Sequence, residues 1–158
     1  MVFDESNVYA FFAQNVGNNI NPRTYYTLYA ASKDATAVKN QIPYIWRLDR
    51  PGLLANAMVL AGRNLFLAGP PDVADEEKTY DFVFGADDEI NRQMRRQEQA
   101  WLGKEGALLW VVSADTGQRL SEYELPAIPV WDGMIAANGR LYLSLKDETV
   151  LCIGPYRR

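Results

Sequence analysis

A chain of 158 residues that is 48% hydrophobic, 12% aromatic and 23% charged can bury one ordinary core, and its nine Tyr, six Phe and four Trp favour strands over helical bundles. The net charge of -4 argues against a general nucleic-acid binder, which needs a basic face to displace counterions. The chain has no histidine and a single cysteine, Cys152, which removes the commonest general base and metal ligand, every Ser–His or Cys–His pair and any intrachain disulfide. No apolar run is long enough to predict a membrane span, and no charged start followed by an apolar stretch marks a signal peptide.

Taken in chain order, Val2-Phe3 and Val8 to Phe12 read as strands around an Asp4-Glu5-Ser6 turn. A polar loop from Gln14 to Arg23 leads to a β-prone run, Thr24 to Ser32, and then to an alternating strand, Tyr44 to Leu48. A hairpin covers Ala55 to Ala68 and stops at Gly69-Pro70-Pro71, because proline cannot donate to a ladder. From Val73 to Gly106 the composition turns polar and charged, and Asp87 to Leu102 is predicted to be a helix capped by Asp87 or Asp88. Ile90, Met94 and Trp101 give that helix a thin apolar stripe, so the segment reads as a surface insertion. Strands resume at Ala107 to Ser113 and Arg119 to Leu125 around Asp115-Thr116-Gly117. A second hairpin at Val130 to Leu145 and a last strand at Thr149 to Ile153 complete the chain.

Met58-Val59-Leu60-Ala61-Gly62-Arg63-Asn64-Leu65-Phe66-Leu67-Ala68 realigns on Met134-Ile135-Ala136-Ala137-Asn138-Gly139-Arg140-Leu141-Tyr142-Leu143-Ser144, about 76 residues on. Leu28 to Ser32 aligns likewise on Leu109 to Ser113 and on Val150 to Gly154. Four-stranded units in series predict an all-β chain of antiparallel β-propeller blades, a partial propeller with one helical insertion. Blade one would be 1–49, blade two 55–125 with the insertion at 73–106, and an incomplete blade three 130–154. A β-sandwich is the competing architecture, but it does not predict the repeat.

Leu109-Trp110-Val111-Val112-Ser113-Ala114-Asp115-Thr116-Gly117-Gln118-Arg119-Leu120 resembles the repeat of the quinoprotein-like (PQQ-like) β-propeller family: an apolar strand, a turn ending Thr-Gly, then a strand bearing a docking Trp. Ala136 to Ser144 is similar to the hairpin that follows it. The sequence departs from that pattern at Ser113, where an Asp is usual, and near Ser121, where the Trp is usual and where Tyr123 would take its packing role. Trp46 alone resembles a docking tryptophan. The resemblance implies further blades, from a longer parent or from copies of the chain, and an exported bacterial protein, periplasmic or extracellular.

The family's quinone and Ca²⁺ sites find no matching motif, so neither PQQ nor Ca²⁺ nor any catalytic residue is expected of this chain. The acidic residues from Asp72 to Glu89 lack the alternation and Gly of a Ca²⁺ loop and read as a solvated insertion. Arg92, Arg95 and Arg96 lie within reach of Glu89 and Glu98, and local ion pairing accounts for them. The aromatics Tyr25, Tyr26, Tyr29, Trp46, Trp101, Trp110 and Tyr142 read as packing between blades, with a sugar or ligand platform as the alternative. Tyr25, Asn19, Asn21, Trp101 and Arg95 are the candidate ligand or partner contacts, and Cys152 reads as a small buried hydrophobe. The function expected is a non-catalytic scaffold for protein interaction or ligand binding. The alternatives are a fragment of a quinoprotein-like oxidoreductase with its catalytic residues elsewhere, and a carbohydrate-binding propeller.

Overall fold

Alternating apolar residues form a pleated sheet with an apolar face to cover, and the chain supplies three such sheets. The structure, a computed structural model, describes residues 1–16, 23–37, 42–75 and 88–155. Among these residues the strands are β1 (Val2–Phe3), β2 (Asn7–Val16), β3 (Arg23–Ser32), β4 (Tyr44–Asp49), β5 (Ala57–Ala61), β6 (Asn64–Gly69), β7 (Ala107–Ser113), β8 (Arg119–Leu125), β9 (Pro129–Ala137), β10 (Arg140–Leu145) and β11 (Val150–Ile153). Among the described residues, the helix α1 (Asp88–Trp101) lies between β6 and β7. The strands pair antiparallel in sequence order: β1-β2-β3-β4 in a first sheet, β5-β6-β7-β8 in a second and β9-β10-β11 in a third. The chain is therefore mostly β, as the composition and strand patterning predict.

The two aligned hairpins reach the same register through different turns. Ala61 pairs with Asn64 across Gly62-Arg63, where only Gly62 has positive φ (59°), the mark of a type II′ turn. Ala137 pairs with Arg140 across Asn138-Gly139, where both residues have positive φ (53° and 69°), the mark of a type I′ turn. Both turns follow the right-handed strand twist, so either sequence closes the hairpin. The repeat is also written in irregularities. The β3–β4 register shifts between Ala30 and Ala31, and the β7–β8 register shifts between Val111 and Val112, which is the same place in the alignment. A bulge increases twist and re-aims the side chain opposite, so both sheets turn their outer strand at one repeat position.

Two packed interfaces hold the sheets together. Leu65, Leu67, Trp110 and Val112 of the second sheet meet Tyr9, Leu28 and Ala30 of the first. Their strand neighbours Ala68 and Leu109 belong to the opposite cluster with Met134, Leu141, Leu143 and Leu145 of the third sheet, and Phe66 packs against it. This is period two used on both faces of one sheet. Each leucine so buried contributes about 1.5–3 kcal/mol. Neighbouring sheets come closest at their first strands, since β5 touches both β1 and β9. Asn56 ties the second interface: its side-chain amide donates to the Pro129 carbonyl (3.2 Å), and its own carbonyl accepts from the Asp132 N–H (3.0 Å).

Two expectations are corrected. The buried residues of α1 are Gln97 and Ala100, whereas Met94 and Trp101 of the expected stripe are exposed. The helix lies against irregular backbone whose N–H groups need acceptors, so a polar side chain takes the contact. Gln97 Oε1 accepts from the N–H groups of Val73 (2.7 Å) and Ala74 (3.1 Å), and Nε2 donates to the Pro71 carbonyl (3.2 Å). Cys152 is exposed, not buried. It alternates with Leu151, which packs inward, and so points to the outer face of the third sheet, where Ile135 and Val150 are exposed too. The first sheet also leaves apolar side chains bare, with Phe3 65% and Ile45 52% exposed.

Candidate functional site

The first interface shows what a filled site looks like here. Trp46 stands on β4 opposite Ala30, at the shifted register. Its indole Nε1 donates to the Ala114 carbonyl at 2.7 Å, and its ring lies 6.2 Å from the ring of Tyr9 at 37°. The ring covers Gly117, where a Cβ would come within 2.5 Å of Cε3 and 2.7 Å of Cδ2. Gly117 also has φ +72°, a conformation that side-chain-bearing residues rarely adopt. The turn that receives Trp46 is braced: the Ala114 N–H donates to the Arg63 carbonyl (2.9 Å), and Arg63 pairs with Asp115. Trp110, buried beside it, carries the Arg119 guanidinium 4.6 Å above its ring. Its own Nε1 is buried with no partner among the described residues.

The second interface repeats this plan with smaller parts. Ser121 stands opposite Val111, as Trp46 stands opposite Ala30. By the same alignment Leu151 holds the place of Trp110, Phe66 that of Tyr9 and Pro155 that of Ala114. Where the first interface has two tryptophans, the second thus has a serine and a leucine. A cleft of about 630 Å³ remains, lined by Phe66, Leu109, Val111, Tyr123, Leu151 and Pro155. Glu124 and Arg140 add charge to the lining. Tyr123, expected to substitute for the docking Trp, lines the cleft but is 55% exposed and does not close it. The size and apolar lining match ordinary small-molecule sites, which run to roughly 300–1,000 Å³.

The residues singled out from the sequence lie elsewhere. Tyr25 is on β3, where its hydroxyl accepts from Arg47 Nη2 (2.7 Å) and its ring lies under the guanidinium groups of Arg47 (6.0 Å) and Arg50 (5.8 Å). It joins an aromatic row on the first sheet, in which Tyr29 touches Phe12 (5.5 Å) and Tyr44 (4.9 Å). Asn19 and Asn21 lie outside the described residues. Trp101 and Arg95 are both exposed on α1. Arg92 pairs with Glu89, and Arg96 reaches Glu105 (3.0 Å) beyond the helix rather than Glu98. Phe66, Leu151 and Pro155 were not singled out, although part of the signal existed: the repeat alignment sets Leu151 against Trp110, while the strand register sets Ser121 against Trp46.

The electrostatics belong to turns rather than to the cleft. Asp4 accepts from the N–H groups of Asn7 (2.7 Å) and Ser6 (2.8 Å), and these bonds hold its carboxyl below the ordinary 3.8. Tyr9 donates to Asp4 (2.9 Å), and burial pushes its phenol above 10.0. Asp147 is lowered in the same way by the Thr149 hydroxyl and N–H. Among the described residues no three His, Cys, Asp or Glu side chains converge as a metal site would. Among the described residues no helix is long and apolar enough to cross a membrane. The cleft lining is mostly apolar. No family model matches the sequence, and no curated protein matches it.

Proposed function

We propose that the chain is an arc of a PQQ-like β-propeller that serves as a non-catalytic scaffold for binding a ligand or partner. The observation that carries this reading is the docking of Trp46 of one four-stranded sheet onto the Gly117 turn of the next. The contact joins the outer strand of one sheet to a turn of the next, which fits consecutive blades. The adjacency of β1, β5 and β9 adds support, because first strands that neighbour one another are those expected around a central axis. The exposed apolar residues of the first and third sheets give further blades something to cover: Phe3 and Ile45 at one end, Trp131 and Ile135 at the other. Those blades come from a longer parent or from copies joined head to tail, and a head-to-tail contact closes into a ring. Bacterial export to the periplasm or beyond accompanies this reading as part of the family resemblance.

Absolute mass by light scattering tests the source of the missing blades. A discrete oligomer that Trp131→Asp converts to monomers means copies complete the ring, and a monomer of 17.9 kDa means a parent chain does. The non-catalytic part is tested by adding quinone with Ca²⁺ and following the melting temperature. A ligand that binds only the folded state raises it, so a saturable rise overturns the non-catalytic reading.

A further inference from the structure

We propose that the cleft between the second and third sheets binds a free planar aromatic ligand with one N–H donor, an indole-like heterocycle, in the place that Trp46 occupies one interface earlier. The inference deepens the scaffold reading by naming the ligand class. Its basis is internal: the chain contains one filled and one unfilled version of the same site. In the filled version an indole ring meets an aromatic face, Tyr9, and donates its N–H to a turn carbonyl, that of Ala114. In the unfilled version Phe66 offers the aromatic face, and Pro155, which aligns on Ala114, lines the cleft with a backbone carbonyl to accept the N–H. The cleft continues the packed second interface, because Leu109, Leu125 and Leu141 belong to that core and also line the opening. A ring inserted there extends an apolar contact that already exists.

The ring is expected without a backbone attached. At the first interface β4 delivers Trp46; at the second the strand in that place is β8, already paired with β7 and carrying Ser121. A second strand could enter only by displacing β8, whereas a free ring needs only the open cleft.

The test is a titration of the intact chain with indole, read by the methyl NMR signals of Leu109 and Leu151. Saturable shifts at these methyls are expected. 1-Methylindole, which lacks the N–H, should bind about threefold to tenfold more weakly, the net effect of one hydrogen bond. Ser121→Trp should fill the cleft from the chain itself and abolish binding; Leu151→Trp does the same from the other wall should the first variant fail to fold. No saturable shift, equal affinity for 1-methylindole, or undiminished binding by a folded cleft-filling variant would overturn the proposal. Binding of N-acetyl-tryptophanamide as tight as that of indole would overturn the free-ligand source in favour of a peptide side chain. None of these outcomes depends on oligomeric mass, so the failure of this proposal and of the propeller reading are distinguishable.

Discussion

Gly117→Ala is the most informative perturbation, because its cost has two parts that a second substitution separates. The first part is local: alanine at φ +72° puts its Cβ against the following carbonyl, at about 1–2 kcal/mol. The second part is the clash, since the new Cβ would stand 2.5 Å from Trp46 Cε3. The indole must move, and the 2.7 Å bond from its Nε1 to the Ala114 carbonyl is then lost. Ala114 is only 5% exposed, so its carbonyl has little water to turn to, and that loss costs about 1–3 kcal/mol. Gly117→Ala should therefore cost roughly 2–5 kcal/mol in the native background and about 1–2 kcal/mol in a Trp46→Ala background. For a chain of this length each kcal/mol moves the melting temperature by about 2–4 °C, so calorimetry or urea unfolding resolves the difference. Independent sites add to within about 0.5 kcal/mol. Equal costs in the two backgrounds, within that margin, would refute the docking of Trp46 on this turn.

Replacing Gln97 with Leu should leave the buried Ala74 N–H unpaired, cost about 1–3 kcal/mol and speed proteolysis of the α1 segment; an unchanged cleavage rate would contradict the anchoring role. Trp46→Phe should destabilise more than Trp110→Phe, because the Trp110 N–H has no bond among the described residues to lose, and the paired melting temperatures check it. Asp4 has a folded pKa below 3.8, so its contribution is complete above that value and is lost as pH falls through the lower folded one. Asp4→Asn should therefore flatten the acid limb of a stability-against-pH curve while leaving its neutral plateau without further slope, and an unaltered acid limb would contradict the Asp4–Asn7 bond.

How much of this was legible before the structure depends on whether a feature is local in sequence. The hairpins were, because Gly62 and Asn138-Gly139 state their turns and flanking apolar residues alternate. So was α1, within a residue at each end, from its acidic start and polar composition. The role of Trp46 was suggested by the family pattern, but its acceptor, 68 positions away, came only from the fold. Gln97 was missed because an amide on a charged helix looks solvated until the backbone it serves is in place. Cys152 was misplaced because a strand of mostly apolar residues does not say which face is covered, and here its face is open. The cleft was half legible: the substitutions at Ser121 and Leu151 were visible singly, but only the shared bulge at Ala30 and Val111 sets them against one another.

The contact that joins the first two sheets can be observed directly by NMR, as the cross-peak between the Trp46 indole N–H and the α protons of Gly117, together with the hydrogen-exchange rate of that indole. The account predicts a strong cross-peak and slowed exchange, because the ring lies on Gly117 and its N–H is bonded at 2.7 Å to the Ala114 carbonyl. An indole that exchanges as fast as free tryptophan, with no cross-peak to Gly117, would contradict the docking of consecutive sheets on which the propeller reading stands.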